Sequence, residues 1–402
     1  MQTCYDVVIV GGGMVGSALA CALGNTPLKV AVIETQLPVE FESGQPHDLR
    51  VSALSIASEN ILKSIGGWQG IMQRRACPYQ RMKVWEVSQE QAATLFDSVD
   101  LQYDHLGYIV ENRIIQLALI EQMKTLDNIE LITPAQTHKI DYSPGSSIVE
   151  LEDGRQLVAK LLVAADGGGS RVRQAAGIGV QKWDYEQQAL VVSVETNFPQ
   201  QDITWQQFTP TGPLAFLPLS GQHASLVWYN TPHEVKRLMA CTDEQFLSEL
   251  TARFPDALGS IKTLLGRGSF PLCRQHAQQY IKEGVVLVGD AAHMIHPLAG
   301  QGVNIGLLDA AALAQELLEA LVEGADISSL AVLSGYEKHR RRHNLVMMQA
   351  MDLFYRVFSN DILPLKILRN VGLGVAGKAF PLKRKVMAFA MGLEGDLPTI
   401  AK

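Results

Sequence analysis

The chain has 402 residues, long enough for two or three packed units with sizeable cores. With 47% hydrophobic residues, 19% charged residues and a formal charge of -7, it reads as soluble and globular, with no broad basic surface to offer nucleic acid. Its five cysteines are odd in number and scattered, without a Cys-x-x-Cys pair, which argues against a disulfide framework or a zinc site and fits a reducing cytoplasm.

The first elements lie in an uncharged stretch from Val7 to Gly24. Hydropathy alone would flag it as a membrane span or a signal peptide. No Lys or Arg precedes it, however, and Gly11, Gly12, Gly13 and Gly16 interrupt its apolar bulk, so a buried strand followed by a glycine turn fits better. Tyr5 to Val10 has the length and Val/Ile content of a buried parallel strand. Met14 to Leu23 suits a tightly packed helix, and Lys29 to Ile33 supplies a second strand.

Between strand and helix stands Gly11-x-Gly13-x-x-Gly16, and Glu34 follows eighteen residues after Gly16. The first glycine permits a tight turn, the second lets the backbone approach a pyrophosphate, and the third lets the helix pack on the strand. Helix N-terminal amides then receive the anion, and Glu34 can accept hydrogen bonds from a ribose. This is the opening of a dinucleotide-binding fold, with FAD and NAD both open at this point.

Further along, apolar strands ending in Asp-Gly (Leu161 to Gly167) and Gly-Asp (Val285 to Asp290) suit the same parallel sheet. Between them, Gln188 to Tyr229 alternates apolar and polar residues, with turn signals at Thr211-Gly212-Pro213 and Ser220-Gly221, as an antiparallel sheet would. The expected class is α/β: a Rossmann-like cofactor domain with a parallel sheet, interleaved with an antiparallel-sheet substrate domain and followed by a C-terminal helical region. The boundaries read this way are 1–75, 105–180 and 270–330 for the first, 76–104 and 181–269 for the second, and 331–402 for the third. His339 and His343 share a helix face in that third region, but Arg340, Arg341 and Arg342 between them would repel a cation. A solvated face and no metal site is the expectation.

Gly289-Asp290-Ala291-Ala292-His293 is followed by Pro297-Leu298-Ala299-Gly300-Gln301-Gly302-Val303-Asn304-Ile305-Gly306 and then Asp309. This pattern resembles the signature of the ubiquinone-biosynthesis flavin hydroxylases, within the aromatic-ring hydroxylases typified by para-hydroxybenzoate hydroxylase. The similarity runs from the first glycine motif to the final helices. A glycine-rich turn opening a helix from Val303 to Glu323 would aim amides and a positive dipole end at negative charge on a reduced flavin.

The resemblance implies FAD as the cofactor, with Gly11, Gly13, Gly16 and Glu34 at its dinucleotide end and Asp290 on the ribityl chain. Gly300, Gln301, Gly302, Val303 and Asn304 would approach the isoalloxazine ring with backbone groups. It also implies that Asp166 of Asp166-Gly167, with Ser170 and Arg173, closes over the pyrophosphate, and that Arg50 lies near the cofactor. Where many relatives carry Arg or Gln at the start of a helix, this chain has Asn112 after Glu111, which makes a shorter contact.

In the implied reaction NAD(P)H reduces FAD, O2 adds to the reduced flavin, and a flavin hydroperoxide passes its distal oxygen to an activated ring. The protein orients the ring and excludes water. The loop from Pro297 to Gly302 would bound the reacting space on one side, and the strand Leu214 to Leu219, with Phe216, Leu217 and Pro218, on the other. No catalytic residue is assigned; His293, as an acid-base group for a quinol hydroxyl, and Pro297 are the candidates beside that space.

From Ile362 to Leu393 the chain carries Lys366, Arg369, Lys378, Lys383, Arg384 and Lys385, with no Asp or Glu, among many apolar residues. Such a segment can lie on an anionic bilayer, at about 1 kcal/mol per basic residue, and no apolar run in it is long enough to span one. Thr204 to Pro210, Ala224 to Tyr229 and Met351 to Tyr355 are similar to the bacterial branch of the family that hydroxylates a 2-polyprenyl-3-methyl-6-methoxy-1,4-benzoquinol. The resemblance therefore implies a prenylated quinol collected from lipid by a cytoplasmic enzyme peripheral to the inner membrane. A homo-oligomer and a ubiquinone-biosynthesis complex both stay open. Two alternatives use the same flavin machinery: a soluble hydroxylase of small phenols, and a non-catalytic FAD-containing subunit of a biosynthetic assembly. A flavin halogenase is disfavoured, since the chain has no Trp-x-Trp-x-Ile-Pro string.

Overall fold

The Val/Ile run near the start of the chain forms β1 (Gln2–Val10), and the glycine turn leads into α1 (Met14–Ala22) and β2 (Val30–Ile33). The computed structural model describes residues 2–86, 93–254, 261–295, 302–358, 380–395 and 397–402. After β2 come β3 (Val51–Ser55), α2 (Ile56–Ser64), α3 (Trp68–Arg74), β4 (Cys77–Tyr79), β5 (Arg81–Glu86), β6 (Thr94–Asp97) and β7 (Gly107–Glu111). Then follow α4 (Asn112–Met123), β8 (Ile129–Ile132), β9 (Thr137–Asp141), β10 (Ser147–Leu151), β11 (Gln156–Ala164) and α5 (Arg171–Ala175).

The middle of the chain supplies β12 (Val180–Thr196), β13 (Ile203–Thr209), β14 (Gly212–Leu219), β15 (His223–Asn230), α6 (Pro232–Ala240), α7 (Asp243–Arg253) and β16 (Ile261–Ala277). It returns through β17 (Ile281–Lys282), β18 (Val285–Leu287) and β19 (His293–Met294) to α8 (Gly302–Glu323), α9 (Leu330–Phe358) and α10 (Phe380–Ala390).

The first sheet has the order β17-β18-β11-β1-β2-β8, with the β9–β10 hairpin added to β11. Its central pairings are parallel, and they join strands from three separated parts of the chain: Val7 lies opposite both Leu161 and Val30, and Leu162 opposite Val285. Val7, Val8, Ile9, Val30, Ala31, Val32 and Leu161 to Ala164 are fully buried. A parallel sheet covered on both faces explains why these strands are apolar throughout and do not alternate. The small residues of α1 let it pack closely on α8 and α4.

The second sheet has the order β19-β16-β12-β15-β14-β13-β5-β6 and is antiparallel apart from the β13–β5 pair. Here the residues do alternate. Leu190, Val192, Trp205, Leu214, Phe216, Leu226 and Trp228 form a core with Val235 and Leu238 of α6 and Phe246 and Leu250 of α7. Ala189, Val191, Ala215, Leu217, Ser225 and Val227 occupy the other face. The two-faced pattern is what a sheet with different neighbours on its two sides requires. The α/β class and interleaved architecture expected from sequence are those of the structure.

Two expectations are corrected. The boundary placed at residue 270 falls inside β16, which stays paired with β12 through Val180 opposite Ala277, and His293 opposite His276 adds β19 to the same sheet. Composition shifts mark linkers, whereas this boundary lies within a continuous strand. The face of α9 read as solvated carries Arg340 at 2% exposure, held inward by Asp309 of α8. Of the basic segment, Lys366, Arg369 and Lys378 lie outside the described residues. Among the described residues, no helix is long and apolar enough to cross a membrane.

Candidate functional site

At the end of β1 the chain reverses through Gly11, whose φ of +105° is a backbone state that side chains disfavour. A Cβ on Gly11 would sit 2.4 Å from the Ala165 carbonyl oxygen, and one on Gly16 only 2.0 Å from that of Gly11. Hydrogen at both positions is what lets α1 approach β1 and β11. Gly13 differs: a Cβ there meets nothing within 4 Å, and its φ of -68° and ψ of -175° suit any residue. The turn is pinned around it. Gly12 N–H donates to Glu34 Oε2 at 2.7 Å, and the Gly12 carbonyl accepts from Ser17 Oγ and Gln116 Nε2, both at 2.9 Å.

Two cavities meet at this turn, sharing Gly13 and Ala165 in their walls. One, of about 560 Å³, is lined by Gly11, Glu34, Thr137, Asp166 and Arg171. The other, of about 430 Å³, passes Arg50, Asn112, Asp290, Gly302 and Val303 and ends against the second sheet, where Val191, Gln206, Ala215, Leu217, Ser225 and Val227 roof it. A long ligand with a charged middle matches this shape: the amides at the start of α1 stand at the junction, and helix N-termini attract anions.

The groups along the roofed cavity are held from behind. Arg75 donates to the carbonyls of Gln45 and Pro46 at 2.8 and 2.9 Å and to Glu111, while Arg113 forks onto Asp48 with both bonds at 2.8 Å. These anchors fix the loop that carries Arg50, whose guanidinium lies 5.1 Å from the Phe270 ring centre. Asn112 Oδ1 accepts from Ser52 Oγ at 2.7 Å. The Asp290 side chain is exposed to the cavity but otherwise enclosed by protein. Burial pushes its carboxyl up, against the pull of neighbouring His293 and Arg50.

Asp166 caps α5 by accepting from the Arg171 and Val172 amides at 2.7 and 3.3 Å, while its Oδ1 is buried without a partner among the described residues. Ser170 caps the same helix, and Arg173 is buried with its guanidinium on the Ala291 and Gly168 carbonyls at 2.7 and 2.8 Å. Ser170 and Arg173 thus tie turns together and line neither cavity. Gly302 and Val303 bring the start of α8 to the roofed cavity. Asn304 turns its side chain away, accepting from Ser55 N at 3.0 Å and Ser58 Oγ at 2.7 Å and donating to the Ala53 carbonyl at 2.8 Å. Pro297, Gly300 and Gln301 lie outside the described residues.

Three side chains depart from the expected placement. Phe216 stacks on Trp205 with ring centres 5.7 Å apart and planes within 8°, inside the core of the second sheet. Pro218 has the same strand parity and also misses the cavity, whereas Leu217, one position on, lines it. His293 is 2% exposed and contacts the Asp309 carboxylate instead of the cavity. Asp309 also accepts from Arg340 Nε at 2.8 Å, Asn344 Nδ2 at 3.1 Å and the Gly289 amide at 3.2 Å. Burial alone would raise the Asp309 carboxyl, but His293 and Arg340 outweigh it and hold the group well below the usual carboxylate range.

Next to this network, His276 Nε2 lies 3.0 Å from Tyr280 Oη. Burial, reinforced by His293, Arg341 and Arg274, pushes the His276 pKa down to about 4. Unfolding returns it to about 6.5, so the unfolded chain takes up this proton first. The stability contribution is complete above that pH and is lost as pH falls toward about 4. In thermal melts between pH 7.5 and 4.5, wild type is expected to lose ~3 °C more than His276→Gln; parallel curves would contradict it.

The family described as FAD binding domain matches residues 4–351. Over 388 residues, covering 96% of this chain and 98% of the relative, the chain is 43% identical to the 3-demethoxyubiquinol 3-hydroxylase of Escherichia coli (strain K12). It is 36% identical over 438 residues to the mitochondrial ubiquinone biosynthesis monooxygenase COQ6 of Homo sapiens, covering 97% of this chain and 93% of that one. Among solved structures, p-nitrophenol 4-monooxygenase PnpA from Pseudomonas putida DLL-E4 superposes with a TM-score of 0.80 at 22% identity, covering 99% of this chain and 100% of that one. That last likeness carries the fold alone.

Proposed function

We propose, from the premise that this chain belongs to the FAD binding domain family, that it is an FAD-dependent monooxygenase hydroxylating a polyprenylated benzoquinol ring in ubiquinone biosynthesis. The observation that carries the reading is the pair of cavities sharing Gly13: together they suit a dinucleotide, and the second ends under a mostly apolar roof. The residues fit FAD. Gly11, Gly13 and Gly16 open the space for the pyrophosphate and Glu34 faces the ribose end. Asp166, with its free Oδ1, closes over the same region. Asp290 meets the ribityl chain, and Arg50, Asn112 and the amides of Gly302 and Val303 stand along the ring. When bound, FAD supplies electron transfer from NAD(P)H to O2 and delivery of one oxygen atom to the substrate.

The chain's own part is to bind, orient and exclude water. Val191, Ala215, Leu217 and Val227 make a dry roof, which prevents water from diverting a reactive site. No proton-transfer role falls to His293, because its ring is committed to Asp309. The same reading includes membrane contact through the basic segment. Arg384 and Lys385 of α10 are exposed, and Lys383 pairs with Asp100 at 2.6 Å.

The test is complementation. A strain lacking the enzyme should accumulate the demethoxy precursor, visible by mass spectrometry, and this chain should restore the hydroxylated product while Asp290→Ala should not. Full restoration by Asp290→Ala would remove the role given to that carboxylate.

A further inference from the structure

Gln206, in the middle of β13, is 6% exposed and lines the cavity under the second sheet, yet its amide has no hydrogen-bond partner among the described residues. The rung it sits on is otherwise apolar, running through Ala215 and Val227 to Val191. On the next rung of the same face, Ser225 stands between Leu217 and Ser193, is 1% exposed, and has a buried Oγ without a partner. Polar groups withdrawn from water without partners cost stability, so such atoms in a folded protein call for an explanation. The groups suited to the cofactor, from Gly13 to Asp290 and Gly302, line the same cavity.

We propose that the Gln206 carboxamide and the Ser225 hydroxyl, two strands apart on the same sheet face, grip the oxygen substituents of the substrate ring and select a ring oxygenated on both sides over a monophenol. The proposal rests on the benzoquinol reading above. A carboxamide donates and accepts at once, so it can serve a ring hydroxyl or an ether oxygen. In an apolar surround each such bond counts for more than in water. A site built to bond a substrate oxygen also rejects the analogue that lacks it, because its own polar group is then left stranded.

The experiment compares the FAD-loaded wild type with Gln206→Leu, Ser225→Ala and Ser193→Ala. The probes are a short-tailed prenyl benzoquinol and a phenol carrying the same tail but no second oxygen. Gln206→Leu should raise KM for the quinol about tenfold, equivalent to ~1.4 kcal/mol. It should also lower hydroxylated product per NAD(P)H oxidised and narrow the preference for quinol over phenol, with flavin content unchanged. Ser225→Ala should move the same quantities in the same direction and Ser193→Ala should not. Should Gln206→Leu fold poorly, Ser225→Ala still decides, since it removes one oxygen and little packing volume. Wild-type KM, coupling and preference in both variants would overturn the proposal. A wild type inactive on both probes would overturn the benzoquinol reading and this proposal with it.

Discussion

Gly13→Val should yield a folded protein that purifies without the yellow of bound flavin. The backbone at Gly13 already has dihedrals that valine adopts, and a Cβ there meets no protein atom within 4 Å, so the apo fold should be nearly indifferent. The branched side chain would instead fill the junction of the two cavities, where a pyrophosphate must reach the α1 amides. Losing about two charge-assisted hydrogen bonds, at roughly 1.5–3 kcal/mol each, weakens FAD binding on the order of 100-fold or more. Gly16→Ala is the contrast, because its methyl collides with the Gly11 carbonyl and should lower stability and flavin binding together. Titration of apo protein with FAD and thermal melts separate the two. A yellow Gly13→Val protein with wild-type affinity would refute the assignment of the turn.

The second large effect concerns Arg340. Arg340→Met leaves Asp309, which is fully buried, with only part of its charge compensation. Breaking a buried pair on one side costs about 3–5 kcal/mol, which for a chain of this size lowers Tm by ~5 °C. Pairing it with Asp309→Leu should recover much of the loss, because no stranded charge remains. Denaturant unfolding of the two single variants and the double variant measures this directly. Equal stability of wild type and Arg340→Met would mean that His293 and Asn344 alone satisfy Asp309.

What could be read from the chain before folding follows the range of each interaction. The glycine turn, Glu34 and the buried strands are set by neighbours a few residues away or by unbroken apolar runs, and they stand where expected. Arg340 was misread because three consecutive arginines look like a solvated face, and the partner that buries one of them lies a full helix earlier. Phe216 and Leu217 could not be told apart without knowing which strand parity faces the roof. That parity depends on α6 and α7 covering the other side. Gln116, one helical turn after Asn112, reaches the Gly12 carbonyl across 104 residues of chain, and so distant a contact leaves no local signal. Gln206 read as an ordinary polar strand residue. Only the cavity shows that its amide faces a pocket and not a protein partner.

The braided order of the first sheet bears on how the molecule is made. β1 must wait for β11, with Gln2 finally opposite Gln156, and β11 in turn waits for β18, with Leu162 opposite Val285. A growing chain therefore carries open, strongly apolar strand edges through much of its synthesis, a state prone to wrong pairing with other chains. For the same reason no single uninterrupted fragment can be excised to serve as a portable flavin carrier. The long antiparallel sheet is threaded between strands that need one another, so a cut anywhere between β1 and β18 separates part of the parallel core.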